Sequence, residues 1–337
     1  MDHFQAFVLR KEADKVQGSV EILSMDQLPD GDVTVKVEYT GVNYKDGLAS
    51  LTNGGIVNRY PFIPGIDLAG VVVSSEHSKF KAGDQVICTG YGLGSSHYGG
   101  FSRYTRLSGE WLVHLPEGLS LREAMGIGTA GFTAAESIER LIRNGLTPSS
   151  GPVLVTGASG GVGSMAINML SKLGYEVTAS TGKHKEYQKW LKQLGAAHVV
   201  TREDIQVTSK GVLGSEQWAA VIDPVGGPGL TGLLKSIRYG GGVALSGLTG
   251  GTQFDNTVYP FILRGVQLLG IDSVLCPMDL RIQLWNSIAH EWKPDIVLEM
   301  GLTEKRLEDL VEVLPAILNG EAVGRTIIHL DDRAEKS

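Results

Sequence analysis

The stretch VTGASGGVG (155–163) decides how the rest of the chain is read. It fits two spacings at once, T-G-x-x-x-G-x-G from Thr156 and G-x-x-G-x-x-G from Gly157. Both are glycine loops of the kind that let a backbone approach a dinucleotide pyrophosphate, but a glycine pattern is specific only in the right context. The flanks supply it. GPVLVTG (151–157) is a short apolar strand of the fully buried type, and GGVGSMAINMLSKLG (160–174) has apolar residues at helical spacing and stops at Gly174. In that setting Gly157 allows the tight turn, Gly160 and Gly161 let the backbone close on a pyrophosphate, and Gly163 lets the helix pack against the strand. Ser159 and Val162 complete the loop and are counted with these glycines as cofactor contacts, at a helix N-terminus that favours phosphate charge.

Working outward, the same alternation continues. A strand EVTAST (176–181), a helix KEYQKWLKQLG (185–195) and strands HVVTR (198–202) and WAAVIDPVGG (218–227) follow. A helix through Leu233 and strands GGVALSGL (241–248) and LLGIDSV (268–274) come next. Right-handed crossovers then predict a doubly wound α/β unit, a parallel sheet with helices on both faces, from about Leu121 onward. Before that point the texture differs. From Phe4 to about Leu115, short runs such as DVTVKVEYTGVN (32–43), LAGVVVSS (68–75), GDQVICTG (83–90), FSRYTRL (101–107) and WLVHLP (111–116) predict a β-rich barrel or sandwich.

Composition limits what such a chain does. At 337 residues and 42% hydrophobic it has enough material for two domains, and a disordered or fibrous reading is excluded. A net charge of −7 offers no general polyanion-binding surface, so small molecules rather than nucleic acid or membrane are the expected partners. No basic-apolar leader and no spanning apolar run is apparent, and the expectation is a soluble, cytoplasmic protein. Cys88 and Cys276 have no C-x-x-C spacing, and both read as buried small hydrophobes rather than a disulfide or zinc cluster.

The second strand addresses the cofactor. A site for NAD places Asp or Glu about 20 residues after the glycine turn, to take the ribose 2′-hydroxyl. Here the strand ends VTASTGK (177–183) with no carboxylate. Ser180 and Thr181 offer hydroxyls, Lys183 a charge, and Arg202 a second charge at the end of the third strand. Such a set suits a 2′-phosphate and predicts NADP, although Lys183 taken alone reads equally as a solvated helix-start lysine.

The short-chain dehydrogenase reading of the loop fails, because that class needs Tyr-x-x-x-Lys downstream and Tyr175, Tyr187, Tyr239 and Tyr259 all lack the lysine. With GVNYKDGL (41–48), YPFIPGIDLAGVV (60–72), AMGIGTAGFTAAES (124–137), DPVGG (223–227), SGLTGG (246–251), PFILRGVQLLGIDSV (260–274) and GRTIIHL (324–330) in order, the chain resembles the medium-chain dehydrogenase/reductase superfamily. The similarity is to its YhdH/YhfP branch of quinone oxidoreductases and NADPH-dependent acryloyl-CoA reductases, and it covers nearly the whole chain. It implies a GroES-like catalytic domain (1–121 with 290–337), a Rossmann NADP-binding domain (122–289), an active site in the cleft between them, and a homodimer.

The resemblance also implies roles. Zinc members carry a Cys near Asn43 and a His-Glu pair where this chain reads PGIDLAG (64–70) with Asp67, so no metal site is expected; His97 and His114 read as surface or packing residues. Conjugate reduction fits a site without that Lewis acid, since charge then emerges on an oxygen that hydrogen-bond donors can stabilise. Tyr44 is expected beside the nicotinamide, orienting the ring or substrate or donating a proton, or else packed as a plain aromatic. Asn43 is expected to hydrogen-bond cofactor or substrate; Lys45 and Asp46 read as an interdomain ion pair or as turn-forming residues, Asp46 being the better suited to a local structural role. Thr129 is a pyrophosphate contact or a helix cap. Leu248, Ile262, Ser273 and Arg325 are further cofactor contacts by similarity. Arg59, Arg103, Arg106 and Arg281 are candidates for a basic mouth that accepts the phosphates of CoA. The leading expectation is reduction of an enoyl thioester such as acryloyl-CoA; quinone or free-enone reduction is the alternative, and a crystallin-like or RNA-binding NADPH protein a remote one.

Overall fold

The computed structural model describes residues 3–13, 15–206 and 211–330, and the chain packs into two compact units. One is Met1–Thr129, Val274–Asn286 and Gly301–Ser337; the other is Ala130–Ser273 and Ser287–Met300. The end of the expected catalytic range, 331–337, lies outside the described residues.

In chain order, the first unit begins with an antiparallel hairpin of β1 (His3–Glu12) and β2 (Lys15–Ser24). Gly18 on β2 lies against Phe7, where a Cβ would come within 2.2 Å of the ring, so the aromatic is seated on bare backbone. β3 (Val33–Gly41), α1 (Tyr44–Ala49), β4 (Asp67–Ser75), β5 (Gln85–Thr89), β6 (Tyr104–Leu107) and β7 (Val113–His114) follow. α2 (Leu121–Arg143) is broken at Gly128, whose φ of 50° and ψ of −158° lie outside helical space. The first-unit run of residues ends one position later, at Thr129.

The second unit holds β8 (Val153–Val155), α3 (Gly161–Lys172), β9 (Val177–Ser180), α4 (His184–Gln193), β10 (His198–Val200), β11 (Trp218–Asp223), α5 (Gly229–Ser236), β12 (Ile237–Leu245), α6 (Tyr259–Arg264) and β13 (Gln267–Gly270). Its six strands run parallel in the order β10-β9-β8-β11-β12-β13, the doubly wound arrangement, with the switch in direction between β8 and β11. All three side chains of β8 are 0% exposed, and each contributes about 1.5–3 kcal/mol through burial. β13 is shorter than the expected strand over 268–274: the chain leaves the ladder after Gly270, with one last bond from Ile271 N to Leu245 O.

α7 (Met278–Ala289), α8 (Asp295–Met300), β14 (Leu302–Lys305), α9 (Leu310–Leu318) and β15 (Arg325–His329) complete the chain. α8 packs on α3, where Asn168 Oδ1 accepts from Ile296 N at 3.1 Å and Lys172 pairs with Asp295 at 2.8 Å. Those bonds hold 287–300 in the second unit, although the expected division puts residues from 290 onward with the first. β14 and β15 return to the first unit and extend its seven-stranded sheet, ordered β14-β15-β3-β4-β5-β7 with β6 also on β3. The mixed α/β class, a GroES-like sheet unit with a Rossmann unit, agrees with the sequence reading. Among the described residues, no helix is long and apolar enough to cross a membrane.

Candidate active site

In the second unit the glycine loop is built as its spacing demands. Gly157 takes a left-handed φ of 54°, and Gly160 N donates back to Gly157 O at 2.9 Å to close the turn. Gly160 is the extended N-cap of α3, so Gly161, Val162 and Gly163 form the first turn, whose amides lack partners within the helix. A Cβ on Gly163 would meet Gly157 O at 2.5 Å and Ala158 Cα at 2.7 Å, so any side chain there drives the helix off the loop. Asp223, at the end of β11, steadies this turn from the side: Thr156 Oγ1 donates to its Oδ1, and Val225 N and Gly226 N donate at 3.0 and 3.2 Å.

Beyond the loop, the two hydroxyls at the end of β9 are engaged within the protein. Ser180 Oγ donates to Thr201 O at 3.3 Å, while Thr181 Oγ1 pairs with Ser159 Oγ at 3.0 Å and accepts from Lys183 N at 3.1 Å. Ser159 and Thr181 thereby tie the glycine loop to the second strand. The charges stand differently. A Cβ on Gly182 would lie 2.9–3.2 Å from the guanidinium of exposed Arg202, so this arginine folds over the residue next to Lys183. Lys183 Nζ sits 5.9 Å from the centre of the Tyr187 ring. Leu248 and Ile262 are 50% and 67% exposed, and Ser273 Oγ accepts from Thr133 Oγ1 at 2.8 Å.

In the first unit, three expected residues converge on one carboxylate. Asp67, 0% exposed at the start of β4, receives Asn43 Nδ2 at 2.8 Å, Thr129 N at 2.9 Å and Thr129 Oγ1 at 2.5 Å. Arg325 Nη2 lies 3.7 Å away. That guanidinium is also held by the carbonyls of Gly126 and Val42 at 2.9 Å and by Asn43 Oδ1 at 3.2 Å. Gly41 and Gly128 bracket the pair, where a Cβ would come within 2.8 and 2.5 Å of Asp67 Oδ2. Asp46 completes the group, accepting Asn43 N at 2.8 Å and Ile66 N at 3.0 Å. Burial pushes its carboxyl up to about 7, helped by the charge of Asp67 and opposed by the two amides and Arg325. Burial draws Arg325 down, against the pull of Asp67 and Asp46. Tyr44 follows Asn43 as the first residue of α1, half-buried, and among the described residues its hydroxyl makes no hydrogen bond.

Residues 29–117 match the family described as "Alcohol dehydrogenase GroES-like domain", and 161–289 the one described as "Zinc-binding dehydrogenase". YhfP of Bacillus subtilis, provisionally named a quinone oxidoreductase, is 53% identical over 97% of this chain and 99% of its own. The chain belongs to the medium-chain dehydrogenase/reductase superfamily. Within that superfamily, acrylyl-CoA reductase AcuI of Ruegeria pomeroyi is 47% identical over 97% of this chain and 99% of its own. The crystal structure of YhdH from Salmonella enterica in complex with NADP superposes with a TM-score of 0.93, at 43% identity, over 97% of this chain and 100% of that one. The structure of YhfP with NAD bound gives 0.95 at 52% identity, over 98% and 100%.

Set against the superfamily's zinc members, Asp67 and Asn43 are committed to Thr129, Arg325 and each other. Among the described residues, no group of three or more His, Cys, Asp or Glu is placed to hold a metal ion. His97 packs edge-on to Trp111 and bonds Arg106 O, His114 lies against Phe80, and both cysteines are buried. The basic mouth needs correction. Arg281 is 1% exposed, bonded to Thr89 O at 2.7 Å and stacked 4.7 Å over the Tyr91 ring; Arg103 is 5% exposed. Arg106 bonds Thr34 and Met25 O, leaving Arg59 the exposed member of the four. Buried guanidinium groups that bind carbonyls do not recruit a ligand's phosphates. Asp223 and the Asp67 cluster carry no local motif; the signal for them was PGIDLAG and DPVGG, whose acids stand at strand ends.

Proposed function

We propose that the protein is an NADPH-dependent, zinc-independent reductase that delivers hydride to the β carbon of an activated double bond, with acryloyl-CoA or a related enoyl thioester as substrate. The observation that carries this reading is the full-length likeness to acrylyl-CoA reductase, 47% identical over 97% of the chain. The glycine loop supports the cofactor: Gly163 admits no Cβ, and the first turn of α3 presents amides to a pyrophosphate. Arg202, folded over Gly182, and Lys183, the next residue in the chain, suit the 2′-phosphate, and the second strand ends without a carboxylate. When bound, NADPH supplies the hydride. The electron pair displaced from the double bond moves to the thioester oxygen, and a proton must then reach the α carbon. Tyr44, whose hydroxyl makes no hydrogen bond among the described residues, is the group assigned to steady that oxygen or deliver that proton. The saturated Asp67 and Asn43 do not suit a metal, so polarisation of the carbonyl falls to hydrogen bonds.

This division of labour, catalysis by 1–121 with 290–337 and cofactor binding by 122–289, is part of the proposal, as are the cytoplasm and a homodimer. The edge position of β13 suits pairing with a second copy, which sedimentation of the purified protein tests. One observation favours the second reading, reduction of quinones or free enones: with Arg103 and Arg281 buried, the cationic welcome for CoA phosphates shrinks to Arg59 and its surroundings. Initial rates of NADPH oxidation with acryloyl-CoA and with a benzoquinone separate the two. A kcat/KM that is higher for the thioester supports the first, and turnover of the quinone alone supports the second.

A further inference from the structure

Asp67 gathers donors from two separate segments of the first unit and stands beside a guanidinium from a third. Asn43 Nδ2 comes from the start of α1, Thr129 N and Oγ1 from the turn after the break in α2, and Arg325 Nη2 from β15. Removing the carboxylate leaves an amide and a backbone N–H buried without an acceptor, and a buried guanidinium without the counter-charge beside it.

The consequence falls on residue 43. Its side-chain oxygen takes Arg325, its side-chain nitrogen gives to Asp67, and its backbone N–H gives to Asp46, so it is held at three points. Tyr44 is the next residue, and no hydrogen bond of its own directs its ring among the described residues. The cluster has no room to slide, because Gly41 and Gly128 approach to where not even a methyl group fits.

We propose that Asp67 is the positioning residue of the site: by gripping Asn43 and Thr129 beside Arg325, it fixes the start of α1 and with it the direction of the Tyr44 phenol. The proposal rests on the role given to Tyr44 above. Asp67 shares Arg325 with a second acid, Asp46. From α1, Asp46 faces Asp67 and Arg325, while Ile317 and Leu318 of α9 lie against Gly47. Burial and the charge of Asp67 favour a neutral Asp46, whereas the amides of Asn43 and Ile66 favour its anion, so the hold on residue 43 through its backbone N–H is stronger where Asp46 is ionised.

Asp67→Asn tests this in the full chain. It keeps the shape but loses the charge, so the grip on Asn43 and Arg325 loosens. A misdirected Tyr44 lowers kcat on the order of 10- to 100-fold while the KM for NADPH changes less than about threefold. The NMR signal of ring-labelled Tyr44 shifts or broadens. A folded Asp67→Asn protein with kcat within about twofold of the parent and an unchanged Tyr44 signal overturns the proposal. Should Asp67→Asn fail to fold, Thr129→Val, which removes only one hydroxyl donor, is judged by the same split. If the parent protein reduces neither thioester, enone nor quinone, the functional reading fails, and the Tyr44 signal alone still decides whether Asp67 positions it.

Discussion

Thr129 reaches Asp67 twice, through its amide to Oδ2 at 2.9 Å and through its hydroxyl to Oδ1 at 2.5 Å. The carboxylate thus caps a helix it does not belong to. Because α2 breaks at Gly128, the amide of Thr129 begins a new helical run, and a buried anion at that point satisfies an orphan donor. Of the two expectations for Thr129, a pyrophosphate contact or a helix cap, the cap inverts in the structure, where Thr129 is the residue being capped.

Gly128 makes that geometry attainable. An alanine there is strained at φ 50°, and its methyl would stand 2.5 Å from Asp67 Oδ2 and 2.7 Å from Arg325 Nη2. Gly128→Ala is expected to lower stability by about 2 kcal/mol or more, read from urea unfolding.

The buried acid gives stability a pH dependence with a definite sign. Asp46 titrates near its ordinary carboxylate value when unfolded but at about 7 when folded, so the native state holds its proton more tightly. Its contribution is fully present below the unfolded value and is lost as pH rises through about 7, by up to about 4 kcal/mol. Urea midpoints between pH 5 and 9 are expected to fall with pH in that window. Asp46→Asn removes the slope, while lowering stability at acid pH because one of the two amides from Asn43 and Ile66 loses its acceptor.

Gly163→Ala separates the loop from the helix that follows it. With Gly157 O only 2.5 Å from the new methyl, α3 must shift, and NADPH affinity is expected to fall at least about tenfold by fluorescence titration. An unchanged affinity would mean that the first turn of α3 is not the phosphate seat.

Lys183→Ala and Arg202→Ala test the choice of nucleotide. Each removes one cation beside Gly182, and each is expected to weaken NADPH about tenfold or more while leaving NADH nearly unchanged. Equal losses for both nucleotides would assign these residues to the fold rather than to the 2′-phosphate.

What could be read in the chain followed from how local the physics is. The glycine loop was legible because each glycine answers a demand of its own neighbourhood: a left-handed turn at Gly157, a close approach at Gly163. The strand order followed from alternation and handedness. By contrast, Asn43 and Arg325 are 282 positions apart, and nothing in either neighbourhood announces that they share Asp67. Arg281 was misread for the same reason. An arginine is a surface charge by default, and only the arrival of Tyr91 and the Thr89 carbonyl makes it an interior one. Ser180 and Thr181 look like ligands for a phosphate, yet their hydroxyls are engaged within the protein, by Thr201 and by Ser159 and Lys183.

The central claim is the reaction, and the most direct measurement is the initial rate of NADPH oxidation by purified protein with acryloyl-CoA, run beside a benzoquinone. The account predicts a kcat/KM for acryloyl-CoA well above that for the quinone, with propionyl-CoA as product. Quinone turnover with no consumption of the thioester would contradict it.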